Sequence, residues 1–414
     1  MTTSITRADL EALDRADSLR DFRDRFAIPE GVIYLDGNSL GALPRATSER
    51  VRKVVEDQWG RDLIRSWNAH GWIELQQRIG AKIGRLIGAG EGETVVADST
   101  SVNLYKMLAA ALELRPGRRV IVSETSNFPT DLYIAQGLLQ QLGRGHTLQL
   151  APPDDMDAAI TDDVAVVMLT HVNYRTGRMY DMRRITKRAH AHGALMLWDL
   201  SHSAGAVPVD LSGANADLAV GCGYKYLNGG PGAPAYLYVA RRHQSRISPA
   251  LSGWLGHESP FAFEPSYRPA NGIERFIVGA PPILGLTALE VGVDLMLEAP
   301  MSAVRAKSLR QTELFDALVT QEIGAEILAL VSPREPDMRG SQLCYAHESG
   351  WPIMRALIDR GVIGDFRAPN ILRFGFAPLY LSYVDVWNAV VTLEAILAER
   401  AWDKPRYHER ALVT

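Results

Sequence analysis

The chain has 414 residues, 47% hydrophobic and 22% charged, with a formal net charge of −4 and a sequence pI of about 6.2. That mixture suits one large domain with a smaller companion, and the weak, scattered charge argues against a nucleic-acid or membrane-surface partner. Two cysteines, Cys222 and Cys344, cannot build a disulfide framework, the opening MTTSITRADLEALDRADSLRDF lacks the apolar core of a signal peptide, and no apolar run reaches the ~18 residues of a membrane span, so a cytoplasmic protein is expected.

In chain order, ADSTSVNLYKMLAAAL (97–112) reads as a helix with Thr100 and Ser101 at its cap. RRVIVSE (118–124) is an apolar strand. It leads into FPTDLYIAQGLLQQLG (128–143), whose Leu and Ile spacing is that of an amphipathic helix. AVVMLTHV (165–172) is the next strand, and DMRRITKRAHAHG (181–193) is a basic helix closed by Gly193. ALMLWDLSH (194–202), DLAVGC (217–222) and AYLYVA (235–240) are further strands. Strands alternating with helices predict an α/β fold: a three-layer large domain whose mostly parallel sheet is covered on both faces. The last strands come without a long helix between them, so the sheet is expected to be mixed. Near 269–282 the pattern changes. Two long helices follow (283–297 and 302–321), then strand-like EILALVS, SQLCYAH and ILRFGF and helix-like WPIMRALIDRG and VDVWNAVVTLEAILAER. These predict a smaller C-terminal α+β domain. The expected organisation is an N-terminal helical segment (1–30) packing on the small domain, a large domain (31–275) and the small domain (276–414).

The chemistry gathers on a few strand ends. Asp199 closes LMLWDL on the carboxyl side of the sheet, where ligands of α/β folds sit; alone it reads equally as a cap or a loop ion pair. His202 follows three residues later, and Lys225 comes 26 positions after Asp199, at the end of DLAVGC. A strand, an Asp-x-x-His turn, a crossover and a strand ending in Lys is the arrangement of pyridoxal-phosphate enzymes. The lysine forms the imine with the cofactor aldehyde and then serves as a base; the aspartate keeps the pyridine nitrogen protonated; the histidine reaches the phenolic oxygen. In GCGYKYLNGGPG (221–232) the glycines are expected to let the backbone press against that ligand. The helix start at Thr100 and Ser101 offers free N–H groups to a phosphate, with Tyr224 as a further contact. Phe128 could stack on the ring or staple its helix, and Asp131 could touch the cofactor or cap the helix. No metal-ligand set stands out.

YLDGNSLGALP (34–44), LIRSWNAHGW (63–72), ETSNFPTDLY (124–133), LTHVNYRTG (169–177), WDLSHSAGAVPVDL (198–211), YKYLNGGPG (224–232), LSGWLGH (251–257) and RGVIGDFRAPNILRFGFAPLY (360–380) together resemble the bacterial kynureninase family over nearly the whole length. The resemblance implies a pyridoxal-5'-phosphate-dependent transferase-like large domain of the aspartate-aminotransferase kind. It implies a homodimer with active sites at the subunit interface, and hydrolysis of L-kynurenine to anthranilate and L-alanine, with 3-hydroxy-L-kynurenine a weaker substrate. Carried over, Lys225 is the imine lysine, Asp199 the pyridine-nitrogen partner and Phe128 the stacking ring. Thr100, Ser101 and Tyr224 bind phosphate, with Trp254 from the other subunit. Asp131, Thr170 and His202 complete the cofactor shell. Tyr224 also takes part in the final protonation. Arg373 is the clamp for the substrate α-carboxylate, because a guanidinium fork matches a carboxylate. Ser39, Trp254 and the 63–72 segment are candidates to hold the aniline ring. At Ala280, relatives often carry a polar side chain; here only backbone is offered to cofactor or substrate. The rivals are a cysteine desulfurase using Cys344, although SQLCYAH alternates like a packed strand, a class V aminotransferase, and a pyridoxal-binding regulator, which the lack of a DNA-binding extension disfavours.

Overall fold

In the computed structural model, which describes residues 4–410, the chain forms two compact units. The larger comprises residues 46–174 and 180–297; the smaller comprises the residues up to Arg45, residues 175–179 and those from Glu298 onward. The first helix, α1 (Arg7–Ala16), belongs to the smaller unit.

The larger unit is built on seven strands: β1 (Thr94–Val96), β2 (Val120–Glu124), β3 (Thr147–Ala151), β4 (Val164–Thr170), β5 (Leu195–Asp199), β6 (Leu218–Gly221) and β7 (Tyr236–Val239). Their order is β1-β7-β6-β5-β4-β2-β3. Only β7 runs against its neighbours; the other pairings are parallel. The sheet is therefore mixed and mostly parallel. Every residue of β4 and β5 is buried, as strands covered on both faces require. Around the sheet lie α2 (Leu75–Leu86), α3 (Thr100–Leu114), α4 (Pro129–Leu142), α5 (Met182–Ala191) and α6 (Ile283–Glu298). Leu104, Met107 and Leu108 of α3 join Ile121, Val166, Leu197 and Leu237 of the strands in one apolar core.

Among the larger-unit elements named above, β1, β3 and α2 escape the sequence pattern. β1 has three residues, too few for a period. β3 is mostly exposed and mixes polar with apolar positions. α2 sits close on β1 because Gly80 has no side chain; a Cβ there would lie 2.5 Å from the Thr94 carbonyl oxygen. The sequence pattern changes near 275, but α6 up to Leu297 falls within the larger unit. Its Gly292 lies against the 227–228 backbone, where a Cβ would come within 2.1 Å of the Leu227 oxygen.

The smaller unit holds an antiparallel sheet of β8 (Ala329–Leu330), β9 (Gln342–Ala346), β10 (Asp365–Arg367) and β11 (Ile371–Gly375), in the order β10-β11-β9-β8. Its helices are α7 (Met301–Glu322), α8 (Gly350–Asp359) and α9 (Tyr383–Ala398). EILALVS yields only the two residues of β8, an edge strand that pairs with just the end of β9. Polar anchors bind α1 to this unit. The Asp14 carboxylate accepts from the Tyr383 and Val384 N–H groups at 2.7 and 3.0 Å, so it caps α9 where the helix dipole favours an anion. Asp17 pairs with the buried Lys307 of α7 at 2.6 Å. No described helix is long and apolar enough to cross a membrane.

Candidate active site

Because β2, β4, β5 and β6 are parallel, their carboxyl ends share one edge of the sheet, and the residues that follow them meet there. Thr170 ends β4 and is paired in register with Asp199, which ends β5. Lys225 lies four residues beyond β6. Its Nζ is 3.1 Å from His202 Nε2, 5.9 Å from the centre of the Phe128 ring and 5.8 Å from that of Tyr224. Phe128 directly precedes Pro129, the first residue of α4, and is 40% exposed. It meets Tyr174 edge-on at 5.2 Å. Asp131, in the first turn of α4, is buried, with Oδ2 3.4 Å from Thr170 Oγ1. Lys225, His202, Asp199, Thr170, Asp131, Phe128 and Tyr224 are thus gathered at one edge.

The electrostatics of this edge are unbalanced. Burial, then the charge of Asp199, push the Asp131 carboxyl well above its ordinary range. Burial raises Asp199 as well, against the opposing pull of the Ser201 hydrogen bonds and Lys225. One of those bonds is the Ser201 N–H donating to Asp199 Oδ1 at 2.8 Å. Burial likewise pushes up the Tyr224 hydroxyl, which stays protonated at neutral pH. Perturbed carboxylates beside a lysine at the ligand edge of an α/β sheet mark a site of chemistry.

At the start of α3 the cap differs from the expectation. Ser99, not Thr100 or Ser101, is the N-cap, and its side chain accepts from the Val102 N–H. Thr100 and Ser101 occupy the first two helical positions, where their N–H groups have no partner within the helix and can meet an anion. The loop before them is clamped from behind. The buried Lys106 reaches Asp98 at 2.6 Å and the Phe276 carbonyl at 2.8 Å, and Asn103 donates to the Ala97 carbonyl at 2.8 Å. Two glycines before Lys225 are required by packing within the protein. A Cβ on Gly223 would lie 2.5 Å from the Pro234 oxygen, and one on Gly221 would overlap the Tyr236 hydroxyl at 2.2 Å. At these two positions protein presses on the backbone, whereas Gly230 and Gly232 have open space beside them and φ of +80° and +76°, a conformation that favours glycine.

Trp254 is 36% exposed and stacks edge-on with Phe261 at 5.7 Å; Ala280 is exposed. Neither touches the Lys225 cluster through any contact described above. Ser39 and Arg373 lie in the smaller unit and form a second cluster. Arg373 is 1% exposed, not the surface arginine that a strand position suggests by default. It faces Asp365 across the β10–β11 pairing, ion-pairs with it, and donates to Ser39 Oγ at 2.6 Å. Arg367 holds the same Asp365 at 2.5 Å, and Asp36 stands 3.8 Å from Arg373. Burial, then Asp365, push Asp36 up to about 7.

Sequence reasoning passed over Asp365, Asn127 and Ser201. Asp365 and Asn127 sit inside the quoted GDFR and SNFPTD stretches, so their signal was motif membership alone; their roles come from contacts far apart in the chain. Both thiols are buried. Cys344 is fully enclosed in β9 and raised by burial to about 11, so it cannot act as a mobile nucleophile.

Pyridoxal 5'-phosphate fits these residues. Buried carboxylates short of positive charge suit a protonated pyridine nitrogen, the open N–H groups of α3 suit a phosphate, and Lys225 suits an aldehyde. A class-V aminotransferase model matches residues 33–341, and a kynureninase C-terminal domain model matches residues 304–393. The kynureninase of Burkholderia pseudomallei (strain 1106a) is 54% identical over 414 residues, covering 99% of this chain and 100% of that protein. Among solved structures, the cysteine desulfurase CsdA of Escherichia coli superposes with a TM-score of 0.76 at 19% identity, over 92% of this chain and 99% of that one. A mutant of C-DES with glycine covalently linked to its PLP cofactor gives 0.77 at 16% identity, over 90% and 98%. These two share the fold. The desulfurase likeness stops there, because the late cysteine of this chain is walled in, whereas the full-length sequence match and the C-terminal domain model agree: the chain belongs to the kynureninase family.

Proposed function

We propose that the chain hydrolyses L-kynurenine to anthranilate and L-alanine, cleaving the Cβ–Cγ bond in tryptophan breakdown, with pyridoxal 5'-phosphate as cofactor. The observation that carries this reading is the 54% identity to a kynureninase over 99% of the chain. The bound cofactor supplies an electron sink for the negative charge that develops at Cα and then Cβ. Lys225 anchors it and, once displaced by the substrate amine, moves the proton at Cα; His202, 3.1 Å away, orients the freed amine. Asp199 keeps the pyridine nitrogen protonated, with Asp131 and Thr170 behind it. Phe128 covers one ring face. The Thr100 and Ser101 groups, with Tyr224, hold the phosphate. Water adds its oxygen at the γ-carbonyl carbon, which departs as the anthranilate carboxylate. Tyr224, protonated at neutral pH, delivers a proton to Cβ.

Arg373 takes the substrate α-carboxylate through its fork, and Ser39 and Trp254 help to hold the aniline ring. Ala280 brings no polar side chain, so 3-hydroxy-L-kynurenine gains no dedicated partner and turns over more weakly. The working form is a cytoplasmic homodimer, with Trp254 and Ala280 serving the neighbouring subunit's cofactor. In support, Trp254, Phe261 and Phe263 form a run of exposed rings in the larger unit, with centroids 5.7 and 6.4 Å apart. The test is direct. L-kynurenine added to the cofactor-loaded protein is expected to release fluorescent anthranilate and alanine one to one. Cofactor-loaded protein that releases neither would overturn the proposal.

A further inference from the structure

Several atoms at the Lys225 edge can play only one hydrogen-bonding role, and they determine the roles of the rest. The Phe128 N–H can only donate, and it lies 2.8 Å from Asn127 Oδ1. That settles which way the Asn127 amide faces. Its Nδ2 then points at Ser123 Oγ, 3.0 Å away. Ser123 Oγ is 2.7 Å from the Met168 carbonyl, which can only accept. The single hydroxyl proton of Ser123 therefore goes to Met168, and its oxygen accepts from Asn127. Asn127 and Ser123 are both buried, so water offers no substitute partner.

On its other side, Asn127 Oδ1 lies 2.5 Å from Thr170 Oγ1. An amide oxygen only accepts, so the one proton of Thr170 is committed to Asn127. Thr170 Oγ1 also faces Asp131 Oδ2 at 3.4 Å. With its proton spent, Thr170 offers Asp131 only lone pairs and cannot help to hold a charge on that buried carboxyl. Asp131 also hydrogen-bonds Asp199, and two facing carboxyls need a proton between them. The Asp199 charge is met by the Ser201 N–H and by Lys225, so the shared proton lies on Asp131.

We infer that Asn127 is a positioning residue whose amide sets the direction of this hydrogen-bond chain, so that Asp131 is a neutral carboxylic acid and Asp199 alone carries the negative charge of the pair. The direction of the Asp131 shift, upward through burial and the Asp199 charge, agrees. The titratable groups facing the pair are Lys225, which acts on both, and Cys222, Tyr224 and Tyr236, which sense Asp199. The same Asn127 oxygen holds the Phe128 backbone, so one side chain aligns the stacking ring and places the proton. The cofactor then meets one negative charge rather than two. The proton's place rests on contacts within the protein; only this consequence for the cofactor rests on the function proposed above.

The test is infrared spectroscopy of the full-length protein, with and without pyridoxal phosphate and without substrate, so that turnover plays no part in the readout. Wild type is expected to show, at neutral pH, a buried-acid carbonyl stretch that Asp131→Asn removes; any band from Asp36, pushed up to about 7, stays in both spectra and cancels in their difference. Asn127→Ala frees the Thr170 proton to donate to Asp131, so the band should vanish at a pH lower by about one unit or more. Thr170→Val, which keeps the shape and removes the hydroxyl, should retain the band and stands in should Asn127→Ala fail to fold. A wild-type minus Asp131→Asn difference spectrum without the band would overturn the inference. So would a difference band that titrates identically in Asn127→Ala or is lost in Thr170→Val.

Discussion

Asp199 and Asp217 are both buried carboxylates of the same mixed sheet, at opposite ends of its parallel strands. Asp217 stands just before β6, and donors converge on it: the Met196 N–H at 2.8 Å, His190 and His243 at 2.7 Å, and Arg242 at 2.7 Å. Burial pushes its carboxyl up, but the His190 and His243 hydrogen bonds and charge outweigh burial and hold it far below the ordinary range. Asp199, at the end of β5, has the Ser201 N–H and the nearby Lys225, and burial wins. One end of the sheet has its negative charge fully met by the protein; the other leaves it for a ligand. A buried charge that is not matched internally is costly to keep, and active sites are where that cost persists.

The largest expected effect tests the unmatched end. Lys225→Ala should cut anthranilate formation by at least about 10²–10⁴-fold, the worth of a general acid–base group, and abolish borohydride trapping of the cofactor on the chain. Normal turnover would remove the centre of the scheme. Next comes the matched end. Asp217→Asn leaves His190, His243 and Arg242 around an uncharged group and should cost about 3–5 kcal/mol of unfolding free energy, read by urea denaturation, with cofactor binding intact in the folded fraction. A neutral result would mean that the convergence of donors contributes nothing.

The comparison sharpens on pH. Asp217 has a folded-state pKa below its unfolded value, so its stabilisation is present above the unfolded value of about 3.9 and is lost as pH falls. Asp131 is raised, so its stabilisation is full below that value and is lost as pH rises through the folded-state value. Asp217→Asn should flatten the acid limb of a Tm-against-pH curve, and Asp131→Asn the opposite limb. Both variants flattening the same limb would erase the contrast.

A smaller effect is expected in the other cluster. Arg373→Lys keeps a cation beside Asp365 and loses the fork, so KM should rise about 10–100-fold with less change in kcat, from losing a charge-assisted bond of about 1.5–3 kcal/mol. An unchanged KM would assign the carboxylate to another residue. The smallest effect belongs to Cys344→Ala, which should leave turnover within about twofold, since a thiol buried in β9 and raised to about 11 does no chemistry at neutral pH. A large loss would revive the desulfurase reading.

Much of the sheet was legible in the chain, because β4, β5 and β6 are short apolar runs, the first two closed by the polar Thr170 and Asp199. The three-residue β1 was not, since it is too short to carry a period, nor was β3, a five-residue, mostly exposed edge strand whose Thr-Leu-Gln-Leu alternation went unused. The helix start at Thr100 was legible, but its cap was misplaced by one residue, because Ser99, Thr100 and Ser101 are equal candidates by chemistry.

By itself the sequence determined which residue types close the strands, and the interval from Asp199 through His202 to Lys225, which is local in the chain and survives any uncertainty about packing. Tertiary structure alone decided which carboxylate is matched and which is not, that Arg373 is buried against Asp365, and that Asn127 meets Thr170 across 43 positions. Such pairings depend on strand order and register, where a slip of one residue turns every side chain to the other face.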